Sequence, residues 1–367
     1  MRILLLGEYS NVHWTLAEGL RALGHEVCVV SNGDYWKDYR RDVSLVRRSY
    51  GRWDSLVYMA QVWKALRRMR DYDVVQIINP MFLEMKSERI RPIYEYLRKH
   101  NKRMFMGAYG MDYYWVNTCR TTQTFRYSDF NFGDRLRTDD IAMTEVRDWI
   151  GTDKGRLNQE IAADCDGIAA GLYEYYACYH PAFPDKTEFI PFPINTDTTV
   201  RTAPPVTDKV RFFIGVQKSR GVYKGTDVML RALERVADRH PDRCEIVKAE
   251  SVPFPVYQHM MDSNHALLDQ LYSYTPAMNG LLAMAKGLVL VGGGEPENYD
   301  ILGEKELHPI VNVLPDEADV YNKLEQMALH SDEIAKLSDD SRLYIERHHD
   351  YKKVAQRYVD FWTKNKK

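Results

Sequence analysis

Short apolar runs alternate with helical patterns along this chain, and this alternation constrains the fold more than any other feature. In the first half, apolar strands are predicted at residues 3–6, 27–30, 73–78, 103–106, 167–170 and 188–190. Helical patterns lie between them, at residues 14–23, 90–100, 157–165 and 172–179. Strands that alternate with helices are typical of a parallel, doubly wound sheet that carries helices on both faces.

The alternation resumes after a break that contains two prolines. This break, RTAPPVTD at residues 201–208, has no hydrophobic periodicity, which favours a linker. Further strands are predicted at residues 210–215, 245–248, 266–269, 288–291 and 310–313, with helices at 226–239 and 278–285. A chain of 367 residues is long for one core. We therefore expect four segments: a first doubly wound domain (1–200), a linker (201–209), a second such domain (210–345), and a helix that packs back toward the first domain (346–367).

Composition and cysteine usage exclude several classes of protein. The formal net charge is -2, so the chain as a whole is not attracted to nucleic acid. The cysteines are scattered and form no C-x-x-C, which predicts neither a disulfide framework nor a zinc site. The apolar run in MRILLLGEYS is too short for a signal peptide, and no run is long enough to span a bilayer. These features predict a cytoplasmic protein.

Two segments of the second half suggest a site for a phosphorylated ligand. They are KGTDVMLRALERV, from Lys224, and AMNGLLAMAKGLVLVGGGEPE, from Ala277. Each is predicted to place a loop before a helix, and a helix N-terminus attracts anions. Lysine adds a positive charge and hydrogen-bond donors. This combination predicts a diphosphate site and hence a nucleotide sugar; the alternative is that Lys224 lies in a solvated turn and that Lys218 and Arg220 are surface residues.

Four segments in the same order resemble a known family. They are LAEGLRALGHEVCVV (16–30), EFIPFPINTD (188–197), FFIGVQKSRGVYKGTDVMLRAL (212–233) and LLAMAKGLVLVGGGEPE (281–297). Together they resemble the retaining glycosyltransferases of family 4, which have the GT-B architecture. The resemblance implies two Rossmann-like domains facing a central cleft, and sugar transfer from a nucleotide diphosphate sugar to a carbohydrate or lipid-linked acceptor. It also implies retention at the anomeric carbon, no cofactor and no metal, and suggests bacterial surface polysaccharide synthesis.

The chain departs from the family at two glutamates that hold hydroxyls of the donor. Their positions are occupied by Tyr274 and Leu282. This loss leaves two alternatives to a transferase open. One is a catalytically silent GT-B subunit that binds a sugar or a partner protein. The other is a GT-B sugar-nucleotide epimerase.

The resemblance implies a set of donor-binding residues in the second domain. These are Lys218, Arg220, Lys224, Thr275, Asn279 and Glu297. Lys218 corresponds by spacing to a basic position that is usually arginine, with Arg220 as a rival. Thr275 and Asn279 precede or begin a predicted helix, so an ordinary helix cap is the alternative for them. For Glu297, which follows a glycine-rich turn, the alternative is a solvated acidic loop.

The resemblance also implies acceptor-side residues in the first domain. The loop after the first strand supplies Gly7, Tyr9, Asn11 and His13, and the segment GAYGMDYYW (107–115) supplies Tyr109 and Asp112. Tyr109 replaces a histidine that is frequent in the family. Asp112 is the predicted catalytic residue, either as a base or as a carboxylate that orients the acceptor. The alternatives are that Asp112 caps a helix and that His13 is a polar surface residue.

Residues 35–70 form a basic segment within a nearly neutral chain. They contain ten lysine and arginine residues and three aspartates, interleaved with apolar side chains that include Trp53 and Trp63. A basic amphipathic helix is typical of proteins that bind an anionic membrane surface. The segment therefore predicts peripheral contact with the inner face of the membrane. The alternative is a helix packed on the sheet with a solvated basic side; nucleic acid is not expected, because no recognition motif accompanies the charge.

Overall fold

The computed structural model describes residues 1–216 and 224–364. Lys218 and Arg220 therefore lie outside the described residues. Contacts divide the chain into two units. The N-terminal unit consists of Met1–Thr118, Met143–Pro193 and Tyr351–Lys367, and the C-terminal unit of Cys119–Ala142 and Ile194–Asp350.

The N-terminal unit contains seven parallel strands in one sheet. The strands are β1 (Arg2–Leu6), β2 (Glu26–Ser31), β3 (Val43–Ser44), β4 (Val74–Ile77), β5 (Met104–Ala108), β8 (Gly167–Ala170) and β9 (Thr187–Phe189). The helices are α1 (Val12–Ala22), α2 (Arg52–Leu66), α3 (Ser87–His100), α6 (Asp153–Asp164), α7 (Tyr173–Tyr179) and α14 (Tyr351–Lys364). Helices α4 (Tyr113–Cys119) and α5 (Asp140–Trp149) contain the points where the chain passes between units.

The strand order of this sheet is β3-β2-β1-β4-β5-β8-β9. Ile3 pairs with Val27 on one side and with Val74 on the other, so β1 is central. Four of the five residues of β1 are buried, as expected for a parallel strand that helices cover on both faces. The predicted α/β class and doubly wound sheet are confirmed.

Helix α14 completes the N-terminal unit although it is the last helix of the chain. The Trp362 indole N–H donates to the side-chain oxygen of Gln76 in β4 at 3.2 Å. Arg103 donates to the Trp362 carbonyl oxygen, and the hydroxyl groups of Tyr358 and Tyr109 are hydrogen-bonded to each other. The chain thus returns to this unit at Tyr351, after a break at His349 and Asp350 that separates α14 from the preceding helix.

The C-terminal unit contains a five-stranded parallel sheet of order β11-β10-β12-β13-β14. Its strands are β10 (Val210–Val216), β11 (Cys244–Glu250), β12 (Ala266–Leu268), β13 (Val289–Gly292) and β14 (Val311–Asn312). Its helices are α8 (Thr226–Arg239), α9 (Phe254–Met261), α10 (Met278–Ala285), α11 (Pro296–Leu302), α12 (Glu317–Leu329) and α13 (Glu333–His348). Val210, Phe212 and Ile214 of β10 are buried within the core of this unit.

The spacing of apolar residues in helix α8 explains why the sequence predicted this helix. Met229, Ala232, Leu233 and Val236 are buried, at the spacing that places side chains on one face of a helix. The helix begins after Gly225, whose φ of 72° is left-handed and favours glycine. A Cβ on Gly225 would also lie 2.6 Å from the Leu271 side chain.

Residues 119–142 are the main difference from the expected domains. The sequence pattern predicts them in the first domain, whereas their contacts place them in the C-terminal unit. They carry a small antiparallel hairpin, β6 (Asn131–Phe132) and β7 (Arg135–Leu136). The rings of Phe125 and Tyr127 pack on Tyr274, at centroid distances of 5.6 and 5.0 Å. This aromatic packing gives the segment a place in the C-terminal unit.

The other differences concern boundaries and short elements. The expected linker, 201–209, lies within the C-terminal unit, and the chain enters that unit at Ile194. Strand β3, the hairpin and helices α4, α5, α9 and α11 were not predicted, because short elements carry little periodic signal. No helix of the described residues is both long and apolar enough to cross a membrane.

Candidate functional sites

A cavity of about 910 Å³ opens in the N-terminal unit. Gly7, Glu8 and Tyr9 line it after β1, Asn32 after β2, and Ile78 after β4. These strands are parallel neighbours, so their carboxyl ends meet at one edge of the sheet. Strand order reverses at β1, and in open α/β sheets ligands bind at such a reversal. The cavity is therefore a candidate ligand site.

The loop after β1 is shaped by Gly7. Its φ is 89°, and a Cβ would lie 2.3 Å from the Ile78 side chain, so a larger residue does not fit. The carboxyl group of the next residue, Glu8, accepts hydrogen bonds from the backbone N–H groups of His13 and Trp14 at 3.1 and 2.9 Å. Glu8 is 2% exposed. Burial raises its pKa to about 8 and outweighs these hydrogen bonds, which by themselves would lower the pKa. At pH 7 the group is therefore mostly protonated.

His13 is fully buried in the first turn of α1 and does not line the cavity. Burial lowers its pKa to about 3, so the imidazole is neutral at physiological pH. Because a carbonyl only accepts, Nδ1 carries the proton and donates to the Gly7 oxygen at 2.8 Å. Nε2 is buried, and among residues 1–216 and 224–364 it has no hydrogen-bond partner. The surface position considered as the alternative for His13 is wrong.

The remaining predicted acceptor-side residues occupy different places. Tyr9 lines the cavity. Asn11 precedes α1 with a left-handed φ of 70°, and its amide donates to the Thr15 hydroxyl at 3.2 Å. Tyr109, directly after β5, is buried, and its hydroxyl accepts from the Gln76 amide at 3.0 Å. Gly7 and Tyr9 thus belong to the cavity lining, whereas Asn11 and Tyr109 do not.

Asp112 is fully buried at the start of α4. One carboxyl oxygen accepts from the Trp115 backbone N–H at 2.9 Å, and the other accepts from the Tyr179 hydroxyl at 2.7 Å. Burial raises the pKa of Asp112 to about 6. These contacts are those of a helix cap, which was the alternative interpretation. Its catalytic role stays a prediction.

Helix α2 presents an apolar face to solvent. Trp53 is 82% exposed and Trp63 is 51% exposed, and Leu56 and Val57 are exposed between them. At 100° per residue these four side chains share one face. The opposite face buries Tyr58, Val62, Ala65 and Leu66. The helix therefore packs on the unit, as in the alternative interpretation, but its outward face combines apolar rings with exposed arginines such as Arg67.

The C-terminal unit has its own reversal of strand order, between β10 and β12. Asp269 directly follows β12 and is 8% exposed. Its carboxylate accepts from the Asn279 amide at 2.9 Å. Burial raises the pKa of Asp269, opposed by the positive charge of Lys224 and by the bonds from Asn279 and the Gly280 N–H. Lys224, Asp269 and Asn279 therefore form one cluster at the carboxyl edge of this sheet.

The loop before α10 is compact. Thr275 is buried, and its carbonyl oxygen accepts from the Ser273 hydroxyl at 2.6 Å. Leu282 lies half-buried within α10. Predicted donor residues Lys224 and Asn279 are therefore together, and Thr275 lies on the loop that leads into the helix of Asn279.

Glu297 and Glu295 are paired with one arginine, Arg126 of the segment 119–142. The Arg126 guanidinium donates to both oxygens of Glu297 and, at 2.8 Å, to Glu295. It also lies over the Tyr274 ring, 4.8 Å from the centroid. The Tyr274 hydroxyl accepts from the Arg126 backbone N–H at 2.7 Å. Tyr274 thus supports the arginine that binds both carboxylates.

Electrostatics reinforce this arrangement. The hydrogen bond from Arg126 lowers the pKa of Glu297, so this carboxylate is ionised at neutral pH. Glu295 is 4% exposed and also accepts from the Tyr127 hydroxyl and, at 3.1 Å, from the Asn312 amide. The solvated acidic turn considered for Glu297 is therefore replaced by a structured ion-pair cluster.

Three residues of these sites were not predicted: Glu8, Asp269 and Arg126. Glu8 and Asp269 each follow a buried strand within two residues, and a charged residue at that position is a signal that the sequence contains. Arg126 had no such signal, because its role depends on a hairpin that folds onto a segment about 150 residues later. Within residues 1–216 and 224–364, no group of three histidine, cysteine or acidic side chains could hold a metal ion.

Comparison with solved structures identifies the architecture. Sucrose-phosphate synthase from Thermosynechococcus elongatus is similar over 99% of this chain and 98% of its own, with a TM-score of 0.63 and 12% identity. HepE of Anabaena, in complex with UDP and glucose, is similar over 99% and 100%, with a TM-score of 0.62 and 11% identity. The chain has the GT-B fold. WaaG, a glycosyltransferase involved in lipopolysaccharide biosynthesis, is similar over 99% of this chain and 100% of its own, with a TM-score of 0.54 and 13% identity.

No family model and no curated protein sequence matches this chain. At 11–13% identity, these similarities establish the GT-B fold and do not carry over the activity of any one neighbour.

Proposed function

We propose that this protein is a glycosyltransferase that moves a sugar from a nucleotide diphosphate sugar to a carbohydrate or lipid-linked acceptor. In that reaction the bond between the anomeric carbon and a diphosphate oxygen breaks. A bond from the anomeric carbon to an acceptor hydroxyl oxygen forms, and the hydroxyl proton goes to the departing diphosphate. Hexosyl transfer with retention, and a role in bacterial surface polysaccharide synthesis, are proposed from the resemblance to family 4.

One observation carries this proposal: Lys224 and Asn279 lie with Asp269 at the reversal point of the C-terminal sheet. Parallel sheets bind phosphorylated ligands there, beside helix N-termini. Lys224 would neutralise the donor diphosphate and stabilise the charge that develops on it as it departs. Lys218 and Arg220, outside the described residues, are proposed as further diphosphate ligands. Thr275 and Glu297 are proposed to contact the sugar.

The N-terminal unit is proposed to bind the acceptor. Its cavity lies at the reversal point of the N-terminal sheet and has room for a sugar, since ligand pockets typically occupy about 300–1,000 Å³. Gly7 and Tyr9, which the sequence analysis assigned to the acceptor side, line this cavity.

The exposed face of α2 is proposed to rest on the inner surface of the membrane. Trp53, Leu56 and Trp63 would enter the interface, where amphipathic helices bury their apolar face. The exposed cations Arg48, Arg67 and others of residues 35–70 would pair with anionic lipids, each contributing about 1 kcal/mol near the surface. A peripheral site on the cytoplasmic side would bring a lipid-linked acceptor within reach.

Calorimetric titration with UDP, GDP, ADP and dTDP sugars tests the donor assignment. We expect one of these nucleotides to bind, and Lys224→Ala to weaken that binding at least tenfold, about 1.4 kcal/mol. Lys323→Ala is the matched control, because Lys323 is an exposed lysine on α12 of the same unit. Unchanged affinity of Lys224→Ala would remove this residue from the donor site, and failure of all four nucleotides to bind would refute the proposed donor.

The Arg126 cluster favours a second candidate, a catalytically silent GT-B subunit that binds a sugar or a partner protein. Arg126 already occupies the carboxylates of Glu295 and Glu297, and Tyr274 and Leu282 replace the carboxylates of the family. Incubation of a binding nucleotide sugar with candidate acceptors separates the cases. Acceptor-dependent nucleotide release indicates transfer, an isomerised sugar nucleotide without acceptor indicates an epimerase, and binding without turnover indicates the silent subunit.

A further inference from the structure

The cavity of the N-terminal unit has an unusual set of charges at its rim. Arg52 of α2, Arg89 of α3, and Lys86, the residue before α3, line it and are solvent-exposed. Within residues 1–216 and 224–364, none of the three forms an ion pair or a side-chain hydrogen bond. These three cations therefore surround the same opening, and none of them is paired with a carboxylate of the described residues.

The remaining charges of the lining do not cancel these cations. Arg47 and Lys154 also line the cavity, against two carboxyl groups, Glu8 and Glu84. Burial raises the pKa of both carboxyl groups, that of Glu8 to about 8. At neutral pH Glu8 therefore contributes little negative charge. The cavity as a whole is cationic and attracts anions.

Helix α3 adds to the same potential. Lys86 precedes its first residue, and Met85, Lys86 and Arg89 all line the cavity, so the amino end of this 14-residue helix lies at the opening. No side chain caps that end. Its unsatisfied backbone N–H groups carry a partial positive charge equivalent to about half an elementary charge. The helix end and the cations therefore act on one region.

The rest of the lining is suited to a sugar rather than to a simple ion. Tyr35, Tyr50 and Tyr58 line the cavity together with Asn32. Tyrosine rings and a side-chain amide offer packing surfaces and hydrogen bonds to a sugar ring. Leu56 lines the cavity and is also 60% exposed on the apolar face of α2. The cavity thus opens beside the surface proposed to contact the membrane.

We propose that this cavity binds an acceptor that carries a phosphate or diphosphate group, held by Arg52, Lys86 and Arg89, with its sugar packed on the tyrosines of the lining. Three cations around one opening match a multiply charged phosphate better than a single carboxylate. This inference rests on the proposed function, which assigns the acceptor to the N-terminal unit. The phosphate belongs either to a lipid carrier or to a soluble phosphorylated sugar.

Calorimetry on the full chain, with farnesyl diphosphate, farnesol and glucose 1-phosphate as probes, tests this proposal. Saturating UDP is present to occupy the donor site. We expect at least one phosphorylated probe to bind and farnesol to bind at least tenfold more weakly. Preference for farnesyl diphosphate identifies a lipid carrier, and preference for glucose 1-phosphate identifies a soluble phosphosugar.

Variants locate the binding. Arg52→Gln, Lys86→Gln and Arg89→Gln should each weaken the preferred probe at least tenfold, with unchanged thermal midpoints because all three side chains are exposed. Lys99→Gln is the matched control, since Lys99 is an exposed lysine at the opposite end of α3. The proposal would be overturned if a variant that combines all three substitutions bound the probe with unchanged affinity. It would also be overturned if farnesol bound as tightly as farnesyl diphosphate. UDP binding without this phosphate binding refutes this inference alone; phosphate binding without any nucleotide binding refutes the proposed donor alone.

Discussion

Replacement of the buried Glu8 by glutamine should change how the stability of the protein depends on pH. The pKa of Glu8 is raised from 4.5 to about 8 in the folded chain, chiefly by burial. The folded state therefore binds this proton more tightly than the unfolded state. Its contribution to stability is fully present below pH 4.5 and is lost as pH rises toward 8. The slope approaches about 1.4 kcal/mol per pH unit, or about 3.5 kcal/mol between pH 5 and 8.

The Glu8→Gln variant cannot titrate at this position, so it should lack this loss. Glutamine keeps one oxygen acceptor, whereas the Glu8 carboxyl group accepts from two backbone N–H groups. One buried N–H then loses its partner, which costs about 1–3 kcal/mol at every pH. We therefore expect the variant to be less stable than the wild type at pH 5 and to be nearly equal or more stable at pH 8.

Urea unfolding at pH 5, 6, 7 and 8 measures this effect. The difference between variant and wild type at each pH cancels every other titrating group. Glu95→Gln is the control, because Glu95 is an exposed carboxylate on α3, and its stability curve should run parallel to that of the wild type. A constant difference between Glu8→Gln and wild type across the four pH values would refute the assigned burial and protonation of Glu8.

Three further predictions concern the other sites. Wild type should float with anionic vesicles at low salt, and Arg48/Arg67/Arg68→Glu should not, because these exposed cations supply the attraction; equal flotation would exclude the segment as the membrane contact. If Asp112 acts on the acceptor as predicted, Asp112→Asn should lower turnover about 100-fold; near-normal turnover would show that it only caps α4, because asparagine caps a helix nearly as well. Arg126→Gln should raise the ratio of the affinity for a UDP-sugar to the affinity for UDP about tenfold, because Glu297 becomes available to sugar hydroxyls. Calorimetry measures both affinities, and an unchanged ratio would show that Glu297 does not contact the sugar.

Local pattern explains what the sequence predicted well. The predicted helices 226–239 and 278–285 and the strand 167–170 coincide with α8, α10 and β8. In each, the signal lies within a few consecutive residues, as with the periodic burial of Met229, Leu233 and Val236. The two doubly wound sheets follow from many such segments in order, and the resemblance to family 4 added the expectation of the GT-B architecture. These features depend on neighbours in the chain, which the sequence displays directly.

Part of the candidate sites was also predictable. A polar residue that follows a buried parallel strand lies at the edge where such sheets bind ligands. The resemblance pointed to the loop of Gly7 and Tyr9, and this rule, applied to each predicted strand, would also have found Glu8 and Asp269. It could not show that burial keeps Glu8 protonated, because burial depends on how α1 and the neighbouring strands close over the loop.

Only the tertiary structure decided which distant residues meet. Arg126 lies about 170 residues before Glu295 and Glu297, and its ion pairs depend on the packing of Phe125 and Tyr127 on Tyr274. Likewise Arg52 and Arg89 line one cavity because α2 and α3 both begin beside it. The sequence by itself determined the periodic elements and their order, since these arise from local side-chain spacing. The charge of each site arises from contacts across the fold, and no local pattern records those contacts.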